Sequence, residues 1–315
     1  MTPFTLLVSG PIKSRFGNEI TLMSLVNAFI YVKHLNPANQ IILSTYEGEV
    51  PLELQNYVDR IILNSDPGAD YFRVNPWPIG NGLRNQSANI SRMFQSTVNG
   101  LEQTQTSLVI KTRVELIPEN FSEFELWSED LSRTILGSTS PLIGFLLQHY
   151  SGISFSINGI LGMIPDTLQY GRTDTLRNVW ISSEKFWRQN FDVITRREIR
   201  FPITSEQILG LNYLYLYCDF PLGDEIYKLH RNYRSIKLVR AIVGAERNYF
   251  KWSSYKASGL SVNYLKGTLN INISRVQNLD SIFAICKMLL KVHLRLIYHH
   301  FRRYFQGFRS LRKNH

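Results

Sequence analysis

An α/β fold, with a mainly parallel sheet flanked by helices, is what this sequence predicts. Three observations carry the prediction. Short apolar, β-branched runs recur through the first third of the chain. They alternate with stretches of helical spacing. Each run ends abruptly in small, polar or charged residues.

The elements follow in order. Phe4–Val8 is a short apolar strand that ends in Ser9-Gly10-Pro11-Ile12. Asn18–His34 has helical spacing through Ile20, Met23, Leu25, Val26, Phe29 and Ile30. Gln40–Leu43 is a second strand, ending in Ser44-Thr45-Tyr46-Glu47-Gly48, and Arg60–Leu63 a third, ending in Asn64-Ser65-Asp66-Pro67-Gly68. Asp70–Gln86 holds two prolines, two glycines and several asparagines, the composition of a loop. Ile90, Met93, Phe94, Val98 and Leu101 repeat at helical spacing and lead into a strand at Ser107–Ile110. That strand exits through Lys111, Arg113 and Glu115, which share one parity. The order is β-α-β-β-α-β. In open α/β sheets, ligands bind beyond the carboxyl ends of the strands, so this charged exit is the first place to look for chemistry.

The second half is less regular. Pro118–Asp130 is acidic and reads as a solvated helix face. Leu142–Ile164 is rich in Gly and Ser and reads as strands and turns, with Asp166 just after the last apolar run. Thr173–Trp180 begins a helix capped by Thr173 or Asp174, and Phe186–Phe191 and Thr204–Tyr217 are further helical segments. Glu206 lies just inside the start of the last one, where an acid is favoured by the helix dipole.

At 315 residues the chain is long enough to bury a proper core, and its 44% hydrophobic content is ordinary for a soluble protein. Cys218 and Cys286 are far apart in apolar surroundings, which predicts a reducing compartment without disulfides. The start, MTPFTLLVSG, has no basic segment and too short an apolar run for a signal peptide, which predicts a cytosolic protein.

The net charge of +10 is not spread over the chain. Residues 281–315 hold eight of the 35 Lys and Arg and no Asp or Glu. The remainder is nearly balanced, which argues against a nucleic-acid-binding surface. This tail is helical in pattern. Lys287, Lys291, Arg295 and Arg302 form a stripe beside Phe283, Leu289, Leu296, Tyr298, Phe301 and Tyr304. Charges interrupt the apolar surface too often for a membrane span, whereas a basic, aromatic amphipathic helix suits an anionic membrane surface. The alternative is a terminal helix packed on the domain with its basic face in water.

The segments SGPI, ILSTYEG, NSDPGA, NISRMFQSTVNGL and VIKTRVEL, followed by IPDTLQYGRTDTL and TSEQILG, resemble the WavE lipopolysaccharide-synthesis family over roughly two-thirds of the chain. The resemblance implies a glycosyltransferase with a GT-A-like, Rossmann-type sheet. Residues 1–280 are then the catalytic domain, with a nucleotide-binding half at 1–118 and an acceptor half at 119–280. The tail becomes a membrane-association helix on the cytoplasmic face of the inner membrane. The implied donor is a nucleotide-sugar, and the acceptor a lipopolysaccharide, other surface glycan or lipid-linked glycan. One departure stands out. Where the family commonly carries Arg-x-Asp, this chain has Arg113-Val114-Glu115, with an acid one methylene longer.

Glycosyl transfer needs a nucleotide pocket, positive charge or a metal at the departing diphosphate, and, for inversion, a carboxylate to deprotonate the acceptor. Ser9, Gly10 and Pro11 are placed to receive the nucleotide, since Gly10 permits close backbone approach. Glu47 and Asp66 either bind ribose hydroxyls or stabilise turns. Arg92, Lys111 and Arg113 are the candidate phosphate partners, with Gln95 and Ser96 beside Arg92 on its helix. Glu115 is the candidate ligand for Mn²⁺ or Mg²⁺. No DxD pair accompanies it, so metal use stays open with a lean towards metal assistance. Asp166 is the first choice of general base, ahead of an aromatic loop at Tyr170-Gly171 suited to stacking on a sugar, and Glu206 the second. The seven histidines form no motif, and P-loop, GxSxG and HExxH patterns are absent. Two other readings remain: a catalytically degenerate scaffold of a polysaccharide assembly, and a phosphoryl-type transferase with a nucleotide-activated donor.

Overall fold

The computed structural model describes residues 2–12, 19–48, 50, 52–74, 84–134, 143–146, 164, 166, 168–196, 205–218, 220 and 250–253. In chain order these form β1 (Thr5–Ser9), α1 (Glu19–Leu35), β2 (Gln40–Tyr46), α2 (Leu52–Gln55), β3 (Arg60–Asn64), β4 (Asp70–Val74) and β5 (Arg84–Ala88). Then come α3 (Ile90–Glu102), β6 (Leu108–Arg113), a 3-10 turn at Val114–Leu116, α4 (Ser122–Thr134) and β7 (Ile143–Leu146). The described set ends with β8 (Gln169–Arg172), α5 (Thr173–Arg196), α6 (Ser205–Tyr217) and β9 (Phe250–Ser253).

Seven strands make one sheet in the order β3-β2-β1-β6-β8-β7-β9. All pairings are parallel except those of β8, which runs antiparallel to β6 and to β7. The expected fold, a mainly parallel sheet flanked by helices, is therefore the one found. Every residue of β1 is buried, and β2 and β6 nearly match it, whereas the edge strand β3 exposes Arg60 and Leu63. Central strands covered on both faces need apolar side chains on both, which is why they read as continuous apolar runs.

Leu6, Val8, Ile41, Leu43, Leu108, Ile110 and Tyr170 face one side. They pack with Leu25, Ala28, Phe29 and Val32 of α1 and with Phe124 and Trp127 of α4. The opposite side carries α3 and α5. There Phe94 meets Trp180 edge-on with ring centroids 5.8 Å apart. Gly100 brings α3 so close to β1 that a Cβ on it would overlap Leu7. The helix α6 packs against α5. Among the described residues, no helix is long and apolar enough to cross a membrane.

Several expectations are corrected. Asp70–Gln86 is not simply a loop: it holds β4 and the start of β5, which pair antiparallel with Asp70 opposite Ala88. Their residues, DYFRV and RNQSA, lack apolar alternation, so the ladder rests on backbone hydrogen bonds that composition does not reveal. Thr173–Trp180 and Phe186–Phe191 belong to one helix, α5. The acidic helix α4 is not merely a solvated face, because Phe124, Trp127 and Ser128 are buried in it. Tyr170-Gly171 is not a loop able to stack on a sugar. It lies in β8, with the Tyr170 ring buried and stacked on Trp127 at 6.1 Å. The strands expected at GISFSI and ILGMI lie outside the described residues apart from Ile164, as do Cys286 and the tail 281–315.

Candidate functional site at the carboxyl edge of the sheet

Strand register decides which side chains meet. Ser9, at the end of β1, is aligned with Ser44 of β2 on one side and Arg113 of β6 on the other. Tyr46 is aligned with Asn64 of β3. The SGPI turn and the Lys111–Glu115 exit therefore stand side by side at the carboxyl edge. Because β8 is antiparallel, its amino end is at this edge too. Gln169 is aligned with Lys111, which places Asp166 just beyond it.

Beneath the edge runs a buried polar seam between the strand ends and α3. Asn64 donates from Nδ2 to Ser44 Oγ at 3.1 Å and to the Thr45 carbonyl at 2.7 Å. Its Oδ1 accepts from Asn99 Nδ2 at 2.7 Å. Thr97 Oγ1 donates to Ser9 Oγ at 3.3 Å, and Ser9 Oγ donates to the Thr112 carbonyl at 3.5 Å. The Ser9 hydroxyl thus points inward, and what the turn offers a ligand is main chain. Gly10 has φ 108°, a left-handed conformation that favours glycine. Its N–H continues the sheet by donating to the Ser44 carbonyl at 3.1 Å. Pro11 is exposed. Glu47 is exposed in the turn after β2, its N–H bonded to the Asn64 carbonyl at 3.2 Å. The residues of this seam carry no motif. The only signal for it is small polar side chains at each strand's last apolar-parity position.

Asp66 and Arg92, read separately as ribose and phosphate partners, are bound to each other. Arg92 donates from Nε to Asp66 Oδ1 and from Nη2 to Oδ2, both at 2.6 Å, and from Nη1 to Asn89 Oδ1 at 2.9 Å. This fork, helped by the Gly68 N–H at 2.8 Å, holds the Asp66 carboxyl below its usual range. The same bond raises the Arg92 guanidinium. Asp70 receives the Ser91 N–H at 2.7 Å and so secures the start of α3. Trp187 Nε1 in turn donates to Ser91 Oγ at 2.9 Å.

The other α3 residues differ in access. Ser96 is buried, and its hydroxyl bonds back to the Met93 carbonyl at 3.4 Å, so a direct role with a ligand does not suit it. Gln95 Oε1 is a buried acceptor without a hydrogen-bond partner among the described residues.

On β6, Lys111 is fully buried on the α5 side. Its Nζ donates to the main-chain carbonyl of Asp166 and lies 4.8 Å from the centre of the Trp180 ring. A phosphate contact does not suit an ammonium turned into the domain. Arg113, two residues on, is 39% exposed, and its Nη1 lies 3.8 Å from Oδ2 of the nearly buried Asp166. Glu115 follows in the 3-10 turn, with its side chain outside the described residues. Glu206 is in the first turn of α6, where its carboxylate accepts from Ser205 Oγ at 3.1 Å and its carbonyl from the Ile164 N–H at 2.9 Å. Among the described residues, no group of three or more His, Cys, Asp or Glu is placed to hold a metal ion. Asp66 and Asp166 each stand beside an arginine, which offsets the carboxylate charge a cation would need.

The fold and this edge define an α/β domain with a mainly parallel sheet and an Arg- and Asp-lined carboxyl rim. Residues 4–133 match the family model described as WavE lipopolysaccharide synthesis, which bears out the resemblance over that span. No curated protein matches the sequence. Solved structures similar to this chain include 4-diphosphocytidyl-2C-methyl-D-erythritol synthase from Anaerococcus prevotii, at 11% identity and TM-score 0.38, over 84% of this chain and 94% of that one. Mouse xyloside xylosyltransferase 1 is another, at 10% identity and TM-score 0.38, over 84% and 99%. The galactosyltransferase LgtC, in complex with donor and acceptor sugar analogues, has 11% identity and TM-score 0.36, over 86% and 98%.

Proposed function

We propose that this protein is a nucleotide-sugar-dependent glycosyltransferase that acts on a lipopolysaccharide or another cell-surface glycan. The observation that carries the reading is the meeting of Arg113 and Asp166 beside the Ser9-Gly10 turn at the carboxyl edge. The lipopolysaccharide-synthesis family match over residues 4–133 supports it.

In the proposed reaction the sugar's anomeric carbon loses its bond to the diphosphate oxygen, which leaves with the electron pair. The Arg113 guanidinium faces the charge that develops there. The acceptor oxygen forms the new bond and gives its proton to the Asp166 carboxylate. As a diphosphate takes the Arg113 fork, the carboxylate is released to act as base. The Ser9-Gly10-Pro11 main chain and Glu47 hold the nucleoside, and the Asp66–Arg92 pair braces the wall formed by the start of α3. Mn²⁺ or Mg²⁺ belongs to the proposal only through Glu115.

The basic tail 281–315 completes the proposal by holding the enzyme on an anionic membrane surface near its acceptor. The test is a thermal-shift and hydrolysis panel of UDP-, GDP-, CMP- and dTDP-sugars, with and without Mn²⁺. Stabilisation and slow hydrolysis by one donor class support the reading. A protein that binds none and hydrolyses none is a scaffold, and the reading falls.

A further inference from the structure

Strand β6 grips a single residue at two points. Lys111 and Arg113 lie two apart and so share a face. Lys111 Nζ holds the main-chain carbonyl of Asp166, and the Arg113 guanidinium stands 3.8 Å from its carboxylate. Lys111 is fully exposed to none of the solvent: its relative exposure is 0%. An ammonium in such a place is costly unless it is well partnered, and an apolar residue of like size fills a sheet interior without that cost. The site is built around the charge. The Trp180 ring faces the ammonium at 4.8 Å, a cation–π contact. Trp180 Nε1 donates to Gln169 Oε1 at 2.6 Å, and Gln169 is the β8 residue aligned with Lys111. Lys111, Trp180 and Gln169 therefore form a clasp on the main chain that leads from Asp166 into β8. From the other side, the Ile164 N–H is held by the Glu206 carbonyl at 2.9 Å.

We infer that Lys111 is a positioning residue: it fixes the main chain at Asp166 so that the carboxylate is presented beside Arg113. The inference rests on the reading of Asp166 as the base. A misplacement of about 1 Å at a reacting group can cost ~10²-fold in rate, so anchoring the backbone of a base matters as much as its side chain. Binding of the nucleoside, given above to the Ser9-Gly10-Pro11 main chain and Glu47, does not depend on it.

The test uses the full chain with Lys111→Met, which keeps bulk but removes the donor and the charge. The substrate is the UDP-, GDP-, CMP- or dTDP-sugar selected by the panel above. The expected result is a kcat for hydrolysis lower by ~10–100-fold, a KM within about twofold, and faster amide hydrogen exchange across residues 166–172. A folded Lys111→Met protein with wild-type kcat overturns the inference, as does an equal loss that appears wholly in KM. Trp180→Phe is the second variant. It keeps an aromatic face but loses the bond to Gln169, and should lower kcat several-fold with KM held. If Lys111→Met does not fold, an unchanged kcat in Trp180→Phe overturns the inference. If the wild-type protein turns over no nucleotide-sugar, the reading of the site falls, and hydrogen exchange alone then judges Lys111. Faster exchange in Lys111→Met upholds the anchor, and unchanged exchange removes it.

Discussion

Consider Arg113→Ala. The side chain leaves β6 at its last residue, is 39% exposed, and touches Asp166 across 3.8 Å. An ion pair of that length and exposure contributes about 0–1 kcal/mol to stability. For a domain of this size that is a melting shift of about 4 °C at most. If the guanidinium stabilises the departing diphosphate, its loss costs ~10²–10³-fold in rate, or about 3–4 kcal/mol of transition-state stabilisation. The catalytic penalty should therefore exceed the structural one several-fold. Arg113→Lys keeps a charge but loses the planar fork, and should fall between wild type and alanine. The assay is donor hydrolysis at saturating nucleotide-sugar, paired with thermal unfolding of the same samples. A folded Arg113→Ala protein within about threefold of wild-type rate refutes the assignment. So does a rate loss that merely tracks the loss of folded protein.

Three further outcomes follow from the same reasoning. Gly100→Ala should lower the urea midpoint, because a Cβ there lies 3.0 Å from Leu7 Cδ2 and closer still to Cδ1, and Leu7 is fully buried. Overpacking of about 1–3 kcal/mol outweighs the roughly 1 kcal/mol gained in helix propensity, and a variant more stable than wild type would show that Leu7 yields freely. Burial raises the Glu123 carboxyl above its usual value, so the folded state loses stability as pH rises through that range. Glu123→Gln should therefore unfold at a higher temperature than wild type at pH 7, with the difference vanishing near pH 4, and a constant difference across that range would dismiss burial as the cause. Deleting residues 281–315 should release the protein from anionic vesicles while sparing hydrolysis, and salt should weaken the binding of the full chain. A truncated protein that still sediments with vesicles would place the membrane contact elsewhere.

The chain sequence by itself determined the parallel strands at the centre of the sheet and their direction. β1, β2 and β6 are short apolar runs covered on both faces, and α3 repeats its buried Ile90, Phe94, Val98 and Leu101 at helical spacing. Such patterns are local, so they survive reading without a structure. The candidate edge was legible in the same way, because a strand's exit is where its apolar run stops. What only the tertiary structure decided is which charges meet there. Asp66 and Arg92 stand 26 residues apart and neutralise each other across the end of β3 and the start of α3. Arg113 and Asp166 meet only because β8 enters the sheet antiparallel. Period-two alternation put Lys111 and Arg113 on one face, but could not say that α5, from far along the chain, would bury the first and leave the second half-open. Tyr170 looked like a loop aromatic because nothing nearby in sequence discloses Trp127, the ring that covers it. Alternation assigns a side chain to a face. Burial depends on what packs over that face, and that is set by contacts between distant segments.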